Sequence, residues 1–141
     1  MAITIDPQTA FGARVAQRLA AERILWLVAV DPQVMPQPVP VWFYWDGQTF
    51  LIYSQPNTAK LRNIANNPQV ALHMDGDGQG GDIVVVLGEA HLAPDTPAPH
   101  KVAEYATKYT AGFTRIGMTA ETFSQVFSVA LRVTPHKLRG H

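Results

Sequence analysis

The chain has 141 residues, 11 lysines and arginines against 11 aspartates and glutamates, and no cysteine. That balance excludes a global field for nucleic acid or an anionic membrane, and the missing thiol excludes disulfides, thiolate metal sites and a cysteine nucleophile. With 47% hydrophobic and 16% charged residues the chain has the composition of one folded domain, 1–141, with a real core rather than a disordered segment.

Met1 to Asp6 lack the basic region and long apolar run of a secretory leader, and the longest apolar stretch, Ile24 to Val30, is too short to span a bilayer, so a cytoplasmic protein is expected. Asp6-Pro7 reads as a helix start, the aspartate capping and the proline in the first turn, where it forfeits no hydrogen bond. Phe11, Val15 and Leu19 recur every four residues and predict one buried stripe on a helix ending near Glu22. Ile24 to Val30 reads as a strand covered on both faces, closed by Asp31-Pro32.

A second extended segment runs from about Met35 to Trp45, turns at Asp46-Gly47, and returns as Thr49 to Ser54. Pro56-Asn57-Thr58 then leads into a short helix from about Ala59 to Asn66, with Leu61, Ile64 and Ala65 facing inward and Pro68 beyond its end. Val70, Leu72 and Met74 alternate with Ala71 and His73 in a fourth strand, and a glycine-rich loop, 75–81, leads to a fifth from Asp82 to Leu92. Pro97 and Pro99 open a longer helix carrying Val102, Ala106 and Tyr109 on one face, with Gly112 as its stop. Thr119 caps one more short helix, and Phe127 to Thr134 completes six strands. Hairpin turns and few, short helices predict an antiparallel barrel, closed or nearly so, not alternating β-α units.

Two segments stand out chemically. In Pro36-Gln37-Pro38-Val39-Pro40-Val41-Trp42-Phe43, proline occupies every second position, so all three missing N–H donors fall on one edge of the strand. Such an edge either guards the sheet against unwanted pairing or presents rigid backbone carbonyls, and the remaining N–H groups, to a planar ligand beside Trp42, Phe43 and Tyr44. The second segment is a stretch without acids: none lies between Asp46 and Asp75, yet Lys60 and Arg62 do. Lys60 sits in a first helical turn, where the macrodipole favours an anion. Either it is a solvated surface lysine, or Ser54, Thr58, Lys60 and the free N–H groups of that turn cradle a phosphate.

Pro40-Val41-Trp42-Phe43, Asp46-Gly47, Tyr53-Ser54, Thr58-Ala59-Lys60-Leu61-Arg62-Asn63-Ile64 and Asn67-Pro68 together closely resemble the pyridoxamine-phosphate-oxidase-like split barrels, over about Ile24 to Thr134. The resemblance is greatest to the branch associated with the deazaflavin coenzyme F420, with its Tyr-Ser-Gln-Pro segment, Gly-Gly-Asp hairpin and Arg-Val-Thr-Pro end. It implies a mainly β (α+β), six-stranded antiparallel split β-barrel with a few short helices, a homodimer holding its cofactors in grooves at the subunit interface. It further implies that Val39, Pro40, Val41 and Trp42 line the cofactor ring through backbone contacts, and that Ser54, Thr58, Lys60 and Asn63 hold its phosphate. Arg62 belongs to the same motif but points about 200° around the helix from Lys60.

The chain departs from the vitamin-processing oxidases at Ala59, where their motif carries arginine, and the basic residues that grip their substrate are not recognisable. It also lacks the branch's terminal tryptophan: the end is the basic His136-Lys137-Leu138-Arg139-Gly140-His141, which either folds over a cofactor tail or frays. The implied function is an oxidoreductase moving hydride between F420 and an unsaturated or conjugated small molecule. FMN in the same fold, as oxidase or flavin reductase, is one alternative, and a non-enzymatic carrier of a cofactor or tetrapyrrole is another. No side chain is singled out as catalytic, since the cofactor supplies the redox step.

Trp26, Trp42, Trp45 and the proline edge are expected to bury surface against a second copy. Loop 75–82 only superficially resembles a calcium loop, lacking its closing glutamate, and the five histidines never reach metal-ligand spacing with a carboxylate. No metal is therefore expected. Serine-nucleophile elbows and Walker-type loops are absent from the sequence.

Overall fold

The computed structural model describes residues 3–141; Met1 and Ala2, which begin the segment read for a leader, lie outside the described residues. In chain order the elements are α1 (Ala10–Ala21), β1 (Leu25–Val30), β2 (Pro36–Val41), β3 (Tyr44–Trp45), β4 (Phe50–Ser54), α2 (Ala59–Asn66), β5 (Gln69–His73), β6 (Val84–Leu92), a 3-10 turn (Pro99–Lys101), α3 (Ala103–Lys108), α4 (Thr110–Arg115), α5 (Ala120–Val126) and β7 (Val129–Gly140). Seven strands stand where the sequence predicts six, because the second extended segment breaks at Trp42 and Phe43.

The strands form one antiparallel sheet of order β2-β1-β5-β6-β7-β4-β3. Its two edge strands, β2 and β3, are neighbours in the chain, so the sheet must curl until its edges meet at Trp42-Phe43. The barrel is thus closed by covalent chain, and a split remains where its edges are not hydrogen-bonded.

Inside the curl, Leu25, Leu27 and Ala29 of β1 pack with Val70 and Leu72 of β5, Val84 and Val86 of β6, Phe50 and Ile52 of β4, and Leu131 and Val133 of β7. Helix α1 plugs one end through Val15 and Leu19, with Phe11 partly buried beside them. The outward residues of β1, Trp26, Val28 and Val30, are only half-buried, so this strand is covered fully on one face, not both. A second apolar cluster lies outside the barrel, where Leu51, Tyr53 and Ala130 are covered by Tyr105, Tyr109, Phe113 and Phe123 of α3–α5.

Several local expectations are corrected by contacts that sequence spacing does not carry. Thr9, not Asp6, caps α1: its hydroxyl accepts from the Gly12 N–H at 2.9 Å, while the Asp6 carboxylate accepts from the Gln8 N–H. Ala65 of α2 is exposed and Asn63 is buried in its stead. The predicted helix from Pro97 to Gly112 is a 3-10 turn followed by α3 and α4, interrupted at Tyr109. Gly112 does not end it. Gly117, at φ 73°, follows α4, while Gly112 is buried inside that helix, where an added Cβ would lie 2.9 Å from the Trp42 ring.

The basic terminus does not fray. Strand β7 continues to Gly140 along β6, and the His141 and Ile83 backbones exchange hydrogen bonds of 2.8 and 3.1 Å. The ladder shifts register at Leu87/Gly88, and a side chain at Gly88 would meet the Thr134 carbonyl. Among the described residues, no helix is long and apolar enough to cross a membrane, and no three His, Asp or Glu side chains are grouped to hold a metal ion. The Asp77 carboxylate of loop 75–82 accepts from the Gln79 and Gly81 N–H groups, which folds the loop on itself.

Candidate functional site

The split is bounded by two unpaired strand edges. Strand β2 pairs only with β1, in the register Leu25↔Val41 to Val30↔Pro36. Prolines cannot donate, so that ladder takes the N–H groups of Gln37, Val39 and Val41. This corrects the expectation that those donors are free for a ligand: the outward edge of β2 carries carbonyl acceptors only. Facing it, β4 pairs with β3 only at Phe50 and Leu51, which leaves Ile52 to Ser54 without a neighbour on that side.

At the break itself, Phe43 is fully buried and its backbone leaves the ladder. Its N–H donates to the Tyr109 hydroxyl at 2.8 Å, and that hydroxyl in turn donates to the Arg23 carbonyl at 2.7 Å. The Phe43 carbonyl accepts from Lys108 Nζ at 3.1 Å, and the same ammonium sits 3.7 Å from the centre of the Phe43 ring. Helices α3 and α4 therefore seal the seam with side chains where a sheet would use backbone. Trp42 stacks on Tyr109 at 4.5 Å between ring centres and on Phe123 at 5.3 Å.

A groove of about 320 Å³ opens beside this seam. Val39, Pro40, Val41 and Trp42 form one side; Tyr53, Tyr105, Phe123 and Phe127 also line it, with Lys60, Arg115 and Ile116. A smaller cavity of about 250 Å³ lies on the other side of Lys60 and Val39 and is lined also by Asn63, Asp31 and Gln37.

Lys60 is half-buried, and its Nζ donates to the Ser54 hydroxyl at 3.0 Å. Ser54 is fully buried, donates to the Gln55 carbonyl at 2.8 Å, and lies 3.3 Å from the Thr58 hydroxyl. Thr58 occupies the N-cap of α2 without capping it, and the first turn holds no acid. Burial pushes the Lys60 pKa down, and no neighbouring carboxylate counters it. This cluster is a local cation with hydroxyls and uncapped N–H groups beside it, the chemistry that suits an anion.

Of the nine residues singled out from the sequence, Val39, Pro40, Val41, Trp42 and Lys60 line one groove. Ser54 and Thr58 attach to it through Lys60, and Asn63 lines the adjoining cavity. Arg62 is turned away, exposed, with its guanidinium on the Asn57 carbonyl at 2.8 Å. Sequence reasoning missed Tyr53, Tyr105, Arg115, Phe123 and Phe127; only Tyr53 carried a signal, by standing next to Ser54 in the quoted motif. Trp42, expected to seek a partner subunit, rests largely on its own chain's helices.

Tyr105 is completely buried, and its hydroxyl has no hydrogen-bond partner. Burial raises its pKa far above the ordinary value, and raises that of Tyr53 to about 12, so both phenols stay protonated at any physiological pH. A larger concavity, about 800 Å³, lies elsewhere, between α1, β3 and α3. Tyr44, Trp45, Arg23, Glu104 and Lys108 line it beside alanines of α1, and its Lys108 is already engaged by Phe43.

A curled antiparallel sheet with a split beside a helix-borne lysine defines a split-barrel protein. The chain belongs to the pyridoxamine 5'-phosphate oxidase family, whose sequence profile matches residues 11–140. A comparison with curated proteins returned no match. Among solved structures, the chain is similar to an F420 reductase at 23% identity and a TM-score of 0.68, covering 87% of this chain and 94% of that one. It is similar to a conserved hypothetical protein of Mycobacterium tuberculosis at 21% identity and a TM-score of 0.70, covering 90% and 81%. It is also similar to HutZ, a heme storage protein of Vibrio cholerae, at 17% identity and a TM-score of 0.62, covering 98% and 95%.

Proposed function

We propose that this protein is an oxidoreductase that binds a flavin-type cofactor in the groove of the split, with F420 favoured and FMN as the alternative, and acts on an unsaturated or conjugated small molecule. The observation that carries the reading is a half-buried lysine without an acid partner at a groove whose other walls are aromatic and aliphatic. Such a site complements a planar head joined to a phosphate-bearing tail. Lys60, Ser54 and Thr58 would hold the phosphate, and Val39 to Trp42 would flank the ring. Asn63 and Arg62 would at most meet outlying parts of the tail. Arg115 adds a second cation to the groove, which suits the polyanionic tail of F420.

The cofactor, when bound, supplies two-electron hydride chemistry at its ring. The chain's own residues supply position and shelter. Trp42, Tyr105, Phe123 and Phe127 exclude water, and the outer edge of β2 offers carbonyls to ring N–H donors. A second copy of the chain would complete the groove across the exposed β2 edge. The heme storage neighbour raises a carrier reading, but among the described residues no histidine, methionine or cysteine lines the groove to serve as the usual axial ligand.

Titrating the purified protein with FMN and with F420, followed by fluorescence, tests the reading. One of them is expected to bind, Lys60→Gln to weaken binding about 10- to 100-fold by loss of a charge-assisted contact, and sedimentation velocity to report a dimer. Absence of binding by both, or full affinity in Lys60→Gln, overturns it.

A further inference from the structure

We propose that Lys108 is a site of covalent acylation, its amine taking the acyl group of a small acyl phosphate that enters the concavity between α1, β3 and α3; the inference stands apart from the cofactor reading. Of the chain's four lysines, Lys60, Lys101, Lys108 and Lys137, only Lys108 lines that space of about 800 Å³. Ala16, Ala20 and Ala103 on the same walls are small and leave it unfilled. Phe43 holds the half-buried amine in place without consuming it: the Phe43 carbonyl accepts one N–H at 3.1 Å, and its ring centre lies 3.7 Å from Nζ. A carbonyl engages a donor's hydrogen and never the nitrogen lone pair, so the neutral amine stays docked and nucleophilic.

The charges around Nζ favour that neutral form. Among the described residues no carboxylate forms an ion pair with Lys108. Arg23 opposes a second positive charge, Glu22 favours it more weakly, Glu104 and the Tyr44 phenol share the concavity, and the Tyr109 ring centre lies 5.4 Å away. Burial first, then Arg23, brings the Lys108 pKa down to about 8. Desolvation beside a second cation is a general way to make a lysine nucleophilic. At pH 7.5 about a quarter of such amines are neutral, against about one in a thousand at the ordinary 10.5. Arg23, on the same wall, supplies a counter-ion for the phosphate. In the reaction the Nζ lone pair adds to the acyl carbon and the bond from that carbon to the phosphate oxygen breaks. Phosphate leaves with the electron pair and takes up the amine's proton. The product is an uncharged amide, which ends the cation's place over the Phe43 ring.

The test incubates the folded protein with acetyl phosphate at half-unit steps from pH 6.5 to 10 and reads acetylation of each lysine by peptide mass spectrometry, with the protein in denaturing urea as control. At pH 7.5 Lys108 is expected to react about 10-fold faster than the exposed Lys101 and Lys137, its larger neutral fraction being partly offset by burial. Its rate should level off above about pH 8, while theirs keep climbing. Arg23→Gln removes the repulsion and should carry that plateau to higher pH, with a slower reaction at pH 7.5. In urea the three lysines should react alike. Lys108 reacting no faster than Lys101 and Lys137, a rate that climbs without a plateau to pH 10, an Arg23→Gln variant with the parent's profile, or a preference that survives in urea overturns the assignment.

Discussion

Phe43 is the residue on which the seam depends. Its N–H and C=O have left the ladder inside a fully buried environment, and an unsatisfied buried donor there costs about 1–3 kcal/mol. The Tyr109 hydroxyl removes that penalty by accepting from Phe43 and donating to Arg23, while Lys108 takes the carbonyl. Tyr109→Phe retains the stack on Trp42 but orphans the Phe43 N–H and one hydrogen bond to Arg23. It is expected to lower unfolding stability by about 1–3 kcal/mol, read from urea denaturation at unchanged slope. Tyr105→Phe, by contrast, removes a hydroxyl that no protein group satisfies and is expected to leave stability unchanged or raised, although the two rings touch.

At the scale of elements, α4 is fixed by a missing side chain. A Cβ on Gly112 would stand 2.9 Å from Cη2 and 3.1 Å from Cζ2 of Trp42, a ring already stacked on Tyr109 and Phe123. Gly112→Ala gains helix propensity of roughly 1 kcal/mol and incurs overpacking of about 1–3 kcal/mol. The expected result is a modest loss in urea midpoint together with weaker cofactor binding, since Trp42 is a wall of the groove. A gain in stability with full affinity would show that the ring shifts freely. The same contact explains what was legible in the sequence. Strand β4 follows from the turn at Asp46-Gly47, helix α2 and the alternation through β5 follow local periodicity, and the pairing of Lys60 with the proline strand follows from the family motif. The break at Trp42-Phe43 does not, because its cause is a hydroxyl 66 positions downstream. Tyr105, Phe123 and Phe127 reach the groove through the fold of α3–α5 over the sheet, which spacing along the chain does not encode. The long β7 was hidden by Pro135 and a run of charges, yet its backbone pairs with β6 from Leu131 to Gly140 across one register shift.

For the molecule as a whole, the seam couples stability to pH. Burial, with Arg23 nearby, holds the Lys108 pKa at about 8, and burial holds the buried tyrosines above their ordinary 10.0. Between about pH 8 and the ordinary lysine value of 10.5, the folded chain has released the Lys108 proton and the unfolded chain still holds it. The unfolded state then binds more protons, so stability rises with pH over that window. Above pH 10 the sign reverses, because unfolded tyrosines ionise while Tyr53, Tyr105 and Tyr109 do not, and the folded state binds more protons. Stability is therefore expected to climb from pH 8 to a maximum near pH 10 and to fall beyond it. Lys108→Met keeps the apolar stem over Phe43 and should flatten the climb while leaving the fall in place; urea titrations at half-unit steps from pH 7 to 11 would read both limbs. A parent that loses stability steadily from pH 8 to 10, or a Lys108→Met variant with the parent's slope, would show that the ammonium at the seam is fully solvated, and the sealing role assigned to α3 would go with it.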